Sequence, residues 1–154
     1  MDKSNLIYGL VLAGGNSRRM GKDKAALIYK NETQLERTVN ILNKFLEKVY
    51  VSVAPGQEVD PLRKRFHMIK DRYRDKGPLA GILSAMNQYP AVSWVVVACD
   101  LPRLDGETIL HILNNSSLDA PFTAYESIED GMPEPLCAVY RPESRKILLN
   151  FMQK

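Results

Sequence analysis

The chain reads as an α/β protein with a mainly parallel sheet covered by helices on both faces. Three observations predict this. Short apolar runs rich in β-branched residues alternate with segments of helical spacing, the pattern of strand–helix–strand units. The run Trp94–Ala98 (WVVVA) is apolar without interruption, which suits a strand buried on both faces better than a half-exposed one. The length, 154 residues, is about that of one domain, taken as residues 1–154, and is enough to bury a substantial core.

The elements follow in order. Leu6–Leu12 (LIYGLVL) is a buried strand. Gln34–Lys48 carries Leu35, Val39, Leu42 and Leu46 at helical spacing, with Ile41 and Phe45 beside them and Thr33 or Asn31 available as a cap. Val49–Val53 is a second strand, closed by Pro55-Gly56, and His67–Ile69 a short third one. Pro78–Met86 sets Leu79, Ile82, Leu83 and Met86 on one helix face, with proline in the first turn. After the Trp94–Ala98 strand come a helix at Thr108–Leu113, strands at Phe122–Tyr125 and Leu136–Tyr140, and a last helix at Glu143–Phe151.

Composition narrows the class. Hydrophobic residues make up 45% and charged ones 25%, the balance of a soluble globular protein. Nine glycines and nine prolines exclude a collagen-like or low-complexity chain. A net charge of +3 is too small for wholesale nucleic-acid binding. No apolar run approaches the ~18 residues of a membrane span. The start, Met-Asp-Lys-Ser-Asn, runs straight into the first strand and then into Gly14-Gly15 and two arginines, not a cleavage site. The expectation is a cytoplasmic protein that engages neither nucleic acid nor membrane. Cys99 and Cys137 lack the spacing of a metal or redox motif and read as reduced, buried thiols.

In sheets of this kind ligands bind beyond the carboxyl ends of the strands, so the chemistry is sought in the loops that follow strands. Leu12 to Lys24 (LAGGNSRRMGKDK) is the densest such loop. Gly14-Gly15 let the backbone turn sharply and approach a ligand closely, and successive backbone N–H groups can form an anion-binding nest. Arg18, Arg19, Lys22 and Lys24 add cations at the same place, which points to a di- or triphosphate. Five residues separate Gly15 from Gly21 and Asp23 follows Lys22, so this is not a Walker A loop; nor is there a G-x-G-x-x-G. Asp71 lies in the charged stretch 70–76 and by those surroundings reads as an exposed loop acid. Asp100 ends the most apolar strand, where a hard cation would meet phosphate oxygens. Glu134 reads equally as an acceptor contact and as a solvated acid.

The arrangement L-A-G-G-x-S-x-R-M-G-x-D-K resembles the signature of Rossmann-like nucleotidyltransferases. Within them it is most similar to the molybdenum cofactor guanylyltransferases, which transfer GMP from GTP to molybdopterin; Gly15 and Asp23-Lys24 favour that branch over the cytidylyltransferases. Gly77-Pro78-Leu79-Ala80-Gly81 after Asp71, and Cys99-Asp100-Leu101-Pro102, resemble two further motifs of the family. The resemblance implies a nucleotide-diphospho-sugar transferase-like fold. It implies GTP contacts at Leu12, Ala13, Gly14, Gly15, Lys24, Asp71 and Asp100, a catalytic set of Lys24, Arg19 and Asp100, and Mg²⁺ held by Asp100. The implied partners are GTP and molybdopterin, with transient contact to cofactor-delivering proteins. Two departures stand out. The strand-two Asn that many members carry is missing from Val51-Ser52-Val53-Ala54-Pro55, and the chain stops at Lys154 where the family continues, as a truncated or shortened member would. A related cytidylyl- or sugar-phosphate nucleotidyltransferase and a non-catalytic nucleotide-binding module are the alternative readings.

Overall fold

The computed structural model describes residues 6–14 and 23–154. Six strands form one sheet: β1 (Ile7–Leu12), β4 (Val49–Val53), β5 (His67–Lys70), β6 (Ser93–Ala98), β7 (Phe122–Glu126) and β8 (Pro133–Tyr140), in the order β5-β4-β1-β6-β8-β7. The first four are parallel, and β8 joins antiparallel to β6 and to β7. The mainly parallel sheet is as expected, with an antiparallel edge.

Alternation along each strand builds two cores. Val11, Val51, Val95, Val97 and Val139 face one side, where α1 (Gln34–Asn43) contributes Leu35, Val39 and Leu42, and α3 (Gly106–Asn115) contributes Ile109 and Ile112. Leu10, Trp94, Val96 and Tyr140 face the other, against Ile82, Ala85 and Met86 of α2 (Pro78–Gln88) and Leu148 of α4 (Ser144–Met152). Every residue of β6 is buried, which explains why its sequence shows no polar alternation.

Local chemistry sets the helix ends. Thr33 caps α1 in a capping box with Glu36: its hydroxyl accepts from the Glu36 amide at 3.1 Å, and the Glu36 carboxylate accepts from the Thr33 amide at 2.8 Å. α1 ends at Asn43, short of the expected Lys48. Leu46 keeps its helical spacing because its amide still bonds Leu42 O at 3.0 Å and its side chain stays buried while the chain turns into β4. A hairpin of two-residue strands, β2 (Ile28–Tyr29) and β3 (Glu32–Thr33), was not expected. Its turn residues, Lys30 and Asn31, both have positive φ, but neither is the glycine that signals such turns in sequence.

Candidate active site

Parallel pairing runs on past the strand ends. The Ala13 amide donates to Ser52 O at 3.2 Å, the Asp71 amide to Val53 O at 2.9 Å and the Cys99 amide to Leu12 O at 3.3 Å. The carboxyl ends of β5, β4, β1 and β6 therefore form one continuous rim, with Leu12, Ala13 and Gly14 at its centre, Asp71 on one side and Asp100 on the other. Gly14 is demanded by crowding: a Cβ there would lie 2.9 Å from the Ala54 nitrogen and 3.3 Å from Asp71 Oδ2. The β1 turn thus lies close against the Ala54 backbone and the Asp71 carboxylate.

Asp71 is half-buried, not the exposed loop acid that its charged surroundings suggest. The Ser52 hydroxyl donates to Asp71 Oδ1 at 2.6 Å. Burial lifts its carboxyl above the ordinary value, and the Ser52 hydrogen bond draws it partly back. The Gly77–Gly81 motif supports this arrangement. Pro78 begins α2, where a missing N–H costs nothing. A Cβ on Gly81 would collide with Ser52 Oγ and lie 2.9 Å from Leu12 Cδ2, so glycine lets the helix press against the residue that holds Asp71.

On the other side Lys24 Nζ lies 3.1 Å from Asp100 Oδ2, both side chains about two-fifths exposed. Asp23 sets up this lysine: its Oδ1 accepts from the Ala25 amide at 3.1 Å and caps the short 3-10 turn Lys24–Ala26. The cap of α3 is Asp105, which accepts from the Thr108 amide at 2.9 Å, so Asp100 is not engaged as a helix cap. Gly15 and Arg19, with Arg18 and Lys22, lie outside the described residues. Glu134 sits exposed at the start of β8, in the antiparallel part of the sheet.

Arg63 escaped the sequence reading. It stands first in Arg63-Lys64-Arg65 between β4 and β5, a run that looks solvated, yet its side chain is only 2% exposed. It donates to Ala13 O and pairs with both carboxylate oxygens of Asp23. The sole hint in sequence is Asp60 three residues earlier. Arg63 holds the Asp23 carboxyl below its ordinary value, chiefly through the side-chain hydrogen bond, despite partial burial. Cys99 and Cys137 are free and buried as expected, and burial pushes both thiols up to about 11.

A mainly parallel sheet whose carboxyl-end rim gathers a glycine, a lysine and two carboxylates is built as α/β proteins that bind ligands beyond their strand ends are. Within that class the chain belongs to the MobA-like NTP transferase domain family, whose model matches residues 9–154. It is 38% identical over 136 residues to a molybdenum cofactor biosynthesis bifunctional protein from Synechocystis, covering 88% of this chain and 39% of that one. It is 34% identical over 142 residues to a probable molybdenum cofactor guanylyltransferase from Clostridium perfringens, covering 90% and 67%. The chain thus spans two-fifths of the first relative's length and two-thirds of the second's. The fold matches molybdopterin-guanine dinucleotide biosynthesis protein A from Archaeoglobus fulgidus with a TM-score of 0.76 at 23% identity, over 95% of this chain and 73% of that one. It also matches a CTP-bound CMP:2-keto-3-deoxy-manno-octonic acid synthetase, with a TM-score of 0.70 at 13% identity, over 97% of this chain and 78% of that one, as expected for the nucleotide-diphospho-sugar transferase-like class.

Proposed function

We propose that this chain transfers GMP from GTP to the molybdopterin form of molybdenum cofactor, with pyrophosphate as the second product. The observation that carries this reading is the placement of Lys24 beside Asp100 on the same rim as Gly14 and Asp71, in a chain of this family. A terminal phosphate oxygen of molybdopterin attacks the α-phosphorus of GTP; the bond from that phosphorus to the bridging oxygen breaks, and pyrophosphate leaves with the electron pair. The acceptor is already anionic, so the protein need supply no covalent nucleophile, and the two protonated thiols fit that. Its work is alignment and charge neutralisation. Lys24 and Arg19 offset the triphosphate charge, the Leu12–Gly15 turn lies against base and phosphates, and Asp71 contacts the nucleoside.

The donor set fits Mg²⁺ held jointly with substrate. The described residues contain no group of three metal-ligating side chains, but Mg²⁺ is commonly held by one or two carboxylates together with substrate phosphates and water, and Asp100 offers a partly exposed carboxylate where phosphates would lie. When bound, the metal supplies charge neutralisation at the phosphates. We place the reaction in the cytoplasm; among the described residues no helix is long and apolar enough to cross a membrane. Molybdopterin arrives through transient contact with cofactor-delivering proteins.

The test pairs a nucleotide panel with one variant. With Mg²⁺, GTP at 100 times its dissociation constant stabilises the chain by about 2.7 kcal/mol, and CTP, ATP and UTP do not. Asp100→Asn lowers pyrophosphate release by about two orders of magnitude or more, on the several kcal/mol a metal ion supplies, with melting temperature unchanged. Stabilisation by CTP in place of GTP overturns the guanylyl assignment. Near wild-type turnover of Asp100→Asn at saturating Mg²⁺ removes Asp100 as the metal ligand.

A further inference from the structure

We infer that Arg63 is a positioning residue for this reaction: it clasps both ends of the basic glycine loop and, through Asp23, aims Lys24 into the site. The inference rests on the reading above that Lys24 and Asp100 serve the triphosphate. A guanidinium has five N–H donors in a fixed planar fork, and the contacts at Arg63 match them in number. Nε and Nη2 donate to Ala13 O at 3.1 and 2.6 Å. Nη2 and Nη1 donate to Asp23 Oδ1 and Oδ2 at 3.0 and 2.7 Å. Nη1 also donates to Asp60 Oδ2 at 2.8 Å.

The positions of these acceptors give the contacts a function. Ala13 is the first residue past β1, and Asp23 immediately precedes Lys24. Between them the sequence carries Gly14, Gly15, Arg18, Arg19 and Lys22. One buried side chain thus ties the residue that enters this segment to the residue that leaves it. Asp23 divides its carboxylate between Arg63 and the Ala25 amide, so the turn that begins at Lys24 is fixed to the same anchor. Asp60 in turn fixes Arg63, accepting from both its side chain and its backbone amide, the latter at 3.2 Å. The β4–β5 connection, which contributes none of the expected site residues before Asp71, is on this account the strut that holds Ala13 and Asp23 together.

Stability alone does not explain such a residue. Replacing a buried ion pair by apolar side chains is often neutral or stabilising. What the pair supplies is geometry, and lysine, a point charge on a flexible stem, cannot reproduce the fork. Misplacement of a catalytic group by about 1 Å can lower rates roughly 100-fold.

The experiment uses the full chain with Arg63→Met, Arg63→Lys, Asp23→Asn and the Arg63→Met/Asp23→Asn double variant. Affinity for Mg·GTP and KM are measured beside kcat, and acylation of each lysine by an amine-reactive ester is followed by peptide mass spectrometry without nucleotide. Arg63→Met is expected to weaken Mg·GTP binding about tenfold or more, Arg63→Lys to recover only part of that, and Asp23→Asn to add less than about twofold on the Arg63→Met background, because the two residues act as one unit. Acylation of Lys24 is expected to change at least about threefold relative to wild type, with the remote Lys146 unchanged, as Lys24 is displaced from its position and its access to the reagent changes. If Arg63→Met does not fold, Arg63→Lys and Asp23→Asn carry the same readouts. A folded variant with Mg·GTP affinity and Lys24 acylation within about twofold of wild type overturns the inference. If the wild-type chain itself binds no GTP, the proposed function fails, and Lys24 acylation alone decides whether Arg63 positions that residue.

Discussion

The two ends of the same parallel strands are built from opposite materials. At the amino end Tyr8 of β1, Tyr50 of β4 and Trp94 of β6 meet Tyr89, just past α2, in a cluster of rings with centroids 5.3–6.1 Å apart. Trp94 is fully buried. The Tyr50 and Tyr89 hydroxyls lie 3.0 Å apart, and burial pushes the Tyr50 hydroxyl up to about 12. A few residues later these strands, joined by β5 and the segments around it, present Ser52, Asp71, Arg63, Asp23, Lys24 and Asp100. One end is closed by packed rings and the other gathers charged and hydrogen-bonding side chains. Parallel topology sends every loop that follows a strand to one end, which frees the other end to be closed by aromatic packing.

If the ends are separable, damage to one leaves the other's property intact. The largest effect is expected from Trp94→Ala. Removing a fully buried Trp costs about 3–5 kcal/mol, a fall of about 10 °C in melting temperature. Calorimetry below the transition should find Mg·GTP affinity within about twofold of wild type. A parallel loss of affinity would show that the aromatic end shapes the site.

Lys24→Ala is the converse. Its contact with Asp100 is half in solvent, and exposed pairs of this kind contribute only about 0–1 kcal/mol to stability. A charge-assisted contact to a phosphate is worth about 1.5–3 kcal/mol, so Mg·GTP affinity should fall by about ten- to a hundredfold with the melting temperature nearly unmoved. Unchanged affinity takes Lys24 out of the site.

Gly14→Ala probes where the comparison should blur. The added Cβ would meet the Ala54 backbone, which cannot rotate away, and would press on Asp71 Oδ2. Overpacking of this kind costs about 1–3 kcal/mol, and here stability and GTP affinity should fall together. Loss of one without the other, read by melting and calorimetry on the same sample, would show that the turn and Asp71 are not mechanically joined.

The same contrast governs what could be read from sequence. Strands and helices were legible because burial writes itself as apolar periodicity, as in the Val run of β6 and the Leu35, Val39 and Leu42 stripe of α1. Asp71 and Asp100 were legible as positions because parallel topology puts whatever follows a strand at the rim. Their environments were not. That Asp71 is half-buried against Ser52 depends on α2 pressing in at Gly81, a contact across the fold. Arg63 was illegible for a stronger reason: nothing in Arg63-Lys64-Arg65 says which cation turns inward, since that is decided by Ala13 O and Asp23, 50 and 40 residues away. The β2–β3 hairpin left no trace because its strands are too short to show alternation.

The smallest expected effect is also the one whose sign separates stability from function most cleanly. Burial holds the Asp71 carboxyl above its ordinary value, and Ser52 only partly offsets this. A carboxyl whose folded value exceeds its unfolded one, near 3.9, favours folding fully below the unfolded value, and that contribution is lost as pH rises through the folded value. At neutral pH wild-type Asp71 is therefore a charge that folding has partly desolvated. Asp71→Asn removes the charge, keeps the shape and leaves an oxygen to accept from Ser52. Melting temperature at pH 7 should rise, because the charge that folding partly desolvates is gone. The gain should shrink as pH falls and vanish below about pH 4, where both side chains are neutral. Mg·GTP affinity at pH 7 should fall even as stability rises, because the negative acceptor that would face the nucleoside is gone. A lowered melting temperature at pH 7 would mean that the Ser52 contact needs the carboxylate more than burial opposes it, and unchanged affinity would mean that Asp71 serves the fold and not the nucleotide.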